Sequence, residues 1–333
     1  MRIADDVYRS EITIWRTAME QSNTKNALRG AASPAIAALL AAALIFVSCS
    51  NGSGSGGGSG LDDKTYKAGS VKFVMKGIEA VTDGTVGHTG DAGTNKPHKV
   101  SLSSYYIGET EVTQNLWQAV MENMPSHFGD EPDGSEVQSQ RPVENVDWFD
   151  CIAFCNELTQ KVNGGDDAKC VYYIDKDYTT VYTIVDAYSE AVPFMDMSKK
   201  GFRLPTDAEW EWAAKGGTDN RWAGTDSEAE LSNYVWYSAN STGKTHQIKM
   251  KLPNGFGLCD MTGNVSEWCW DWYHALSAAD LPLDYAGPES GTNRVVHGGS
   301  YKYNEYSATR AYRSPFLPDK TEDTRGLRVV CRP

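Results

Sequence analysis

The stretch "SNGSGSGGGSG", Ser50 to Gly60, limits what this chain can fold into more than any other. Its eleven residues are all Ser, Gly or Asn, so they bury no apolar surface and behave as a flexible coil. Random-coil scaling gives such a tether a root-mean-square span of about 18 Å. A packed unit must lie on one side of it. Residues 62–333 are expected to form that unit, because no second linker and no internal repeat interrupts them. The chain is 40% hydrophobic and 11% aromatic, with 10 Trp and 17 Tyr, so a sizeable core is available. The expected organisation is an N-terminal extension and signal segment over 1–49, the tether over 50–61, and one domain over 62–333.

Upstream of the tether, "AIAALLAAALIFVS", Ala35 to Ser48, is an apolar run of signal-peptide length. Lys25 and Arg29 precede it as a basic region, and Cys49 ends it. Residues 1–18 fit such a segment poorly, which leaves Met1 and Met19 as alternative starts. The sequence "FVSC" resembles a bacterial lipobox, whose Cys is lipidated. Phe46 and Ser48 depart from the usual Leu and Gly/Ala, and an ordinary secretory signal with a chance Cys is the alternative. The tether speaks for an anchor at Cys49. The chain is thus expected to be exported and lipid-anchored at the bacterial cell envelope, on its outer surface. Its net charge of −13 opposes nucleic-acid binding and electrostatic docking to anionic lipid. Membrane contact is expected through the lipid anchor only.

Beyond Cys49 six cysteines remain: Cys151, Cys155, Cys170, Cys259, Cys269 and Cys331. An even number in an exported protein permits disulfides, and spacing does not choose among the pairings. No Cys-x-x-Cys or His-x-x-x-His pair points to zinc.

Local patterns predict several elements. "KAGSVKFVMKGIEA" and "KPHKVSLSSYYIGETEVT" alternate like half-buried strands. "TQNLWQAVMEN" has a helical period with Thr113 as N-cap. "DWFDCIAFCNELTQKVN" is a second amphipathic helix, capped by Asp147 or Asp150. "PTDAEWEWAAKGG" is a third, with Thr206 and Glu209 spaced as a capping box and Gly216 at its end. Arg203 is placed to become a buried charge between strand and helix. Short strands and long Gly/Asn/Ser/Pro loops elsewhere predict an irregular, loop-rich α+β fold.

The ordered blocks "YYIGETEVTQNLWQAVM", "RPVENVDWFDCIAFCNELT", "GFRLPTDAEWEWAAKGG", "NGFGLCDMTGNVSEWCWDWY", "RVVHGGSY" and "RGLRVV" resemble the formylglycine-generating enzyme, or sulfatase-modifying factor, family. The resemblance spans roughly residues 70–333. It implies an elaborated C-type-lectin-like α+β domain, monomeric. It also implies a structural calcium ion in "CDMTGNVSEW", with side-chain oxygens from Asp260 and Glu267 and carbonyls from Gly263 and Val265. Carboxylates and carbonyls are the hard oxygens calcium takes. A metal-free loop held by Asn264 is the alternative.

The enzymes of this family hold copper(I) on two thiolates, which soft sulfur suits. On this chain Gly298, Gly299, Ser300 and Tyr301 match the block before those cysteines. The first Cys position falls on Tyr303 and the second on Ala308. No copper and no formylglycine synthesis are therefore expected. A copper-dependent oxidoreductase and an envelope scaffold of a motility or secretion machine stand as alternatives.

What remains in the segment from residue 301 to 324 has the composition of a binding surface. Tyr301, Tyr303, Tyr306, Tyr312 and Phe316 would supply flat contact area. Lys302, Asn304, Glu305, Arg310 and Arg313 would supply polar selection. The expected partner is an extracellular protein or another surface ligand. Variable proteins of bacterial diversity-generating retroelements look similar, with randomised residues just before a Gly-Phe-Arg or Gly-Leu-Arg ending. Gly326-Leu327-Arg328 closes the segment here.

Overall fold

A computed structural model of the chain describes residues 61–89, 95–130, 132–276 and 281–333. Cys49, the apolar run before it and the tether lie outside these residues. The described chain opens with a hairpin, β1 (Lys64–Ala68) and β2 (Val71–Ile78), turned through Gly69. β3 (Val81–Val86) and β4 (His98–Leu102) pair with each other, and β5 (Tyr105–Gly108) returns to β2. The alternation read from Lys96 onward therefore belongs to strands of two separate sheets.

α1 (Gln114–Met121) and α2 (Trp148–Val162) follow, then β6 (Tyr172–Tyr173), α3 (Ile184–Tyr188) and β7 (Phe194–Met195). α4 (Asp207–Lys215) and the short α5 (Leu231–Tyr234) come next. The C-terminal third holds β8 (Ser266–Trp272), β9 (Arg294–His297), β10 (Ser314–Phe316), β11 (Arg325–Gly326) and β12 (Val330–Cys331).

The helices begin where side chains satisfy their first backbone N–H groups. Thr113 caps α1 by accepting from Leu116 N at 3.2 Å. Asp147 caps α2, and Asp150 reaches back to it, so both expected acids act in one capping box. The box of Thr206 and Glu209 starts α4, and Gly216 ends it in the left-handed conformation.

Two four-stranded sheets organise the molecule, ordered β1-β2-β5-β12 and β10-β9-β8-β11. The chain's last residues stitch them together. β11 lies parallel on β8, and β12 lies antiparallel on β5, with Leu327-Arg328-Val329 as the crossing. Arg328 fills that seam. Its Nη1 donates to the carbonyl of Gly108 at 2.8 Å, and its Nη2 donates to Glu267 Oε1 at 2.8 Å. One buried guanidinium thus joins the end of β5 to β8.

The core is aromatic and is interleaved with arginine. Trp117 stacks on Phe154 at 4.8 Å. The Arg294 guanidinium lies 3.7 Å from the Trp148 ring and 3.4 Å from Trp272. Such cation–π contacts let charge enter a core. Arg203 is buried as expected and makes two 2.7 Å bonds to Glu209. All six cysteines in the described residues are free and buried, so the disulfides the even count permitted do not form among them.

Candidate ligand-binding site

β9 and β10 form an antiparallel pair in which Val296 faces Ser314 and Arg294 faces Phe316. Residues 298–313 leave that pair and return to it, so a sheet fixes both ends of the excursion. Gly299 makes its sharp start possible. Its φ is +66°, and a Cβ there would stand 2.6 Å from the carbonyl oxygen of Ser307. Any side chain would open the loop.

The backbone of the loop is tied down at several points. Tyr301 N donates to Asn264 O at 2.8 Å, and Ser238 N to the carbonyl of Tyr303 at 2.9 Å. The indole of Trp222 donates to Glu305 O at 2.8 Å, and Arg310 N donates to Arg221 O at 2.9 Å. Side chains are presented from a held backbone, the arrangement in which a binding surface loses little ordering entropy.

The ten residues read from sequence as a surface divide into three sets. Lys302, Asn304, Glu305 and Tyr306 are exposed, and Tyr303, Tyr312 and Phe316 are half-buried. Tyr301, Arg310 and Arg313 are buried and face inward, which corrects their assignment to the surface. Tyr301 packs edge-on against Phe128 at 5.3 Å. Arg310 pairs with Glu211 at 2.9 Å and donates to the carbonyl of Asn220. Arg313 pairs with Asp207 at 2.6 Å and donates to the carbonyl of His274. Long cationic side chains beside buried carboxylates are pulled inward, because an unpaired buried acid costs several kcal/mol, about 3–5 by deletion of a partner.

The half-buried set lines a cavity of about 210 Å³, walled by Tyr303, Tyr312, Phe316 and Val296. Its lining also includes His297, Gly299, Ser266, Ser307 and Ser314. No Lys, Arg, Asp or Glu is among these residues. Sequence reading did not single out His297, Val296, Ser266, Ser307 or Ser314; the signal was their place in or beside the "RVVHGGSY" block and inside the segment. His297 stacks on Trp210 at 4.5 Å with the rings 6° apart. Its Nε2 lies 2.6 Å from Asp207 Oδ1. Burial raises the Asp207 carboxyl, but Arg313 and His297 outweigh it and hold the group well below the usual carboxylate range. Asp271, whose Oδ2 accepts from Asp207 N, is pushed well up by burial and by the Asp207 charge.

At the two copper positions no sulfur stands. Tyr303 lines the cavity, and Ala308 is buried in a small cluster with Trp222, Leu231 and Val235. No cysteine lines the cavity. Burial pushes the Cys259 and Cys331 thiols up to about 11, which leaves them protonated and poor as metal ligands.

At the loop read as a calcium site three buried acids, Asp260 and Glu267 of the loop and Glu111 beside it, lie near one arginine, Arg328. Glu267 accepts from Arg328 Nε at 3.0 Å and Nη2 at 2.8 Å, and from the Trp210 indole at 2.6 Å. Its acceptor positions are largely spent on these donors. Asp260 Oδ2 accepts from Lys249 N at 2.9 Å, whereas Oδ1 is buried with no hydrogen-bond partner. Glu111 accepts from Val265 N at 2.9 Å and Asn264 Nδ2 at 2.8 Å. Burial, with the charges of Asp260 and Glu267, pushes Glu111 well up, and burial raises Asp260 to about 6. Asn264 also holds the loop itself, accepting from His246 N at 2.9 Å and donating to His246 O at 3.1 Å. Among the described residues no group of three or more His, Cys, Asp or Glu stands ready to hold a metal by side chains alone.

These features define a class: a loop-rich α+β fold of two four-stranded sheets, with tyrosine and alanine at the two positions where the family resemblance would put cysteines. The chain belongs to the sulfatase-modifying factor enzyme 1-like family, whose domain model matches residues 68–333. It is 32% identical over 256 residues to a chaperone protein LppX of Paenibacillus barcinonensis, covering 69% of this chain and 81% of that one. It is 35% identical over 167 residues to a formylglycine-generating enzyme of Thermomonospora curvata, covering 44% of this chain and 54% of the enzyme. The chain thus spans about half the length of that enzyme. Among solved structures, Treponema denticola variable protein 1 superposes with a TM-score of 0.76 at 48% identity, covering 81% of this chain and 99% of that one.

Proposed function

We propose that the chain is an envelope lipoprotein, anchored through Cys49, whose C-terminal segment binds an extracellular protein without copper chemistry. The observation that carries this reading is the pairing of two facts. The copper positions are Tyr303 and Ala308, and the side chains around them are presented from a loop hydrogen-bonded along its length. Lys302, Asn304, Glu305 and Tyr306 form the exposed rim, and Tyr303, Tyr312 and Phe316 the recess. The likeness to a protein named a variable protein supports a further reading, that residues of this segment are diversified by a retroelement. DNA beside the gene tests that: a reverse transcriptase and a template repeat differing at adenines are expected.

The binding surface is tested by affinity for a captured partner. Tyr303→Ala and Tyr306→Ala are each expected to weaken binding about tenfold or more, as anchor residues do. Unchanged affinity in both would remove the surface from the segment. A second reading, an envelope chaperone or scaffold, draws support from the match along 81% of a chaperone protein LppX. It predicts stable envelope partners whose capture ignores changes at 301–316.

A structural calcium ion belongs to the same proposal. Glu111, Asp260 and Glu267 carry three acids against the one guanidinium of Arg328, an imbalance a divalent cation would cancel. Asp260 Oδ1 is the uncommitted oxygen, with the carbonyls of Gly263 and Val265 completing the set. Glu267 then contributes charge, since its oxygens are engaged by Arg328 and Trp210. Calcium is expected to raise the melting temperature, and Asp260→Asn to abolish that rise.

A further inference from the structure

His246 is 3% exposed, and its ring stacks on Trp236 with the centroids 3.8 Å apart and the planes 15° apart. Both ring nitrogens face acceptors. Nε2 lies 2.8 Å from the carbonyl oxygen of Ser241, and Nδ1 lies 2.8 Å from Glu136 Oε1. A carbonyl only accepts, so Nε2 carries a proton. Glu136 Oε2 accepts from Gln247 N at 3.1 Å, which leaves Oε1 to accept from Nδ1. An imidazole that donates from both nitrogens is an imidazolium. Asp133 Oδ2 stands 4.0 Å from Nδ1 and is itself paired with Lys244. Arg141 lies near Glu136 and donates to the carbonyl of Thr245. Lys251 sits 3.7 Å over the Trp236 ring, and Glu111 is bonded to Asn264, which holds the His246 backbone.

This histidine reaches the start of the binding segment by two routes. Ser241, whose carbonyl it holds, donates from Oγ to the carbonyl of Tyr301 at 2.7 Å. Asn264 Oδ1 accepts from His246 N at 2.9 Å, and the Asn264 carbonyl accepts from Tyr301 N at 2.8 Å. Both backbone groups of Tyr301 are therefore fixed by residues bonded to His246.

From this geometry we infer that His246 is a positioning residue for the segment: the imidazolium holds Ser241 against Tyr301, and loss of one proton releases that hold. A neutral ring donates from one nitrogen only, so a lone pair must then face either Ser241 O or Glu136 Oε1. The bond to the carboxylate is charge-assisted and is the stronger of the two. The neutral ring therefore keeps its proton on Nδ1 and turns a lone pair toward the Ser241 carbonyl. The stack on Trp236 keeps the ring from turning aside. Two acceptors in contact repel, and Ser241 gives way with its bond to Tyr301. The binding segment is thereby loosened at its first residue by a change of pH.

The test uses the full chain with no partner, from about pH 5 to about pH 9, which brackets the range where imidazole changes charge. Nuclear magnetic resonance of the His246 nitrogens reads the ring. The Tyr301 carbonyl carbon reads the Ser241 bond, and protection of the Tyr301 amide, corrected for its intrinsic exchange rate, reads the hold on the segment. At the acid end both nitrogens are expected to be protonated. As the ring loses a proton, the Tyr301 carbonyl should shift and the amide's protection should fall about fivefold, the worth of one hydrogen bond. Glu136→Gln removes the facing charge and should move this joint transition to lower pH. His246→Gln has no proton to lose, so Tyr301 should stop responding to pH.

A neutral ring at the acid end, or a ring that keeps both protons to the alkaline end, would overturn the inference. So would a Tyr301 that ignores the ring's transition, or one that still responds to pH in His246→Gln. If that variant does not fold, the first three outcomes decide, because they need only the unaltered protein. The inference concerns the segment of the proposed binding surface, but none of these measurements involves a partner. Its failure would leave that surface to Tyr303→Ala and Tyr306→Ala, and failure of the surface would leave the hold on Tyr301 standing.

Discussion

Arg328 and Asp207 carry more than their share of this molecule, and both do so as members of buried charge pairs. Arg328 compensates Glu267 across the seam between the two sheets. Removing one partner of a buried pair leaves the other charged and dry. Arg328→Ala is therefore expected to lower stability by about 3–5 kcal/mol in urea denaturation at pH 7. Exposed Lys302 should tolerate Ala within about 0.5 kcal/mol in the same measurement. Asp207 predicts a pH dependence. Arg313 and His297 hold its folded pKa below the unfolded value of about 3.9. Its contribution is then complete above about pH 4 and is lost as pH falls further, because the unfolded chain binds the proton first. Asp271 works in the opposite sense, keeping its proton in the fold when the unfolded chain has released it. Stability should therefore decline below about pH 4 in the unaltered protein, and Asp207→Asn should make that decline shallower while lowering stability at neutral pH. A decline of unchanged slope in the variant would show that other carboxylates set the acid limit.

At the level of elements, what could be read from the chain is what is local to it. Thr206 and Glu209 cap α4 three residues apart, and the same residues close the box in the structure. Thr206→Ala should cost about 1 kcal/mol by equilibrium unfolding, and α4 should lose helicity from its first turn. Thr113 and Asp147 were likewise legible, since a cap and an apolar period lie within a few residues of each other. The short strands were not. β11 and β12 have two residues each, and their partners, Ser266–Glu267 and Tyr106–Ile107, lie far away in sequence. No local period exists in two residues. The site divides along the same line. Its aromatic and polar composition was visible, but the inward turn of Arg310 depends on Glu211, 99 positions away. His297 went unremarked because a lone histidine in a strand looks like core. Its buried partners are Asp207 and Trp210, which α4 brings against β9.

The molecule as a whole presents an unusual balance for a chain expected outside the cytoplasm. It has six thiols beyond Cys49 and no disulfide among its described residues. Small exported domains often need such staples, but a domain this long has core enough without them. Arg294 is sandwiched by Trp148 and Trp272, and Arg325 lies 3.7 Å over Phe316. These contacts tie β8, β9, β10 and α2 into one body without a covalent bond. If disulfides held the fold, reductant would remove about 2–5 kcal/mol per bridge, and the melting temperature would fall by roughly 5–20 °C. With the thiols free and buried, dithiothreitol should leave the melting temperature within about 1 °C, a shift worth only a few tenths of a kcal/mol. A thiol reagent should label the native domain slowly, because burial keeps Cys259 and Cys331 protonated up to about 11. In denaturant the same reagent should find six thiols beyond Cys49 without prior reduction. Fewer than six would mean that oxidation in the envelope pairs some of them. A steep fall in melting temperature with dithiothreitol would then show that those pairs, rather than the buried arginines, hold the fold together.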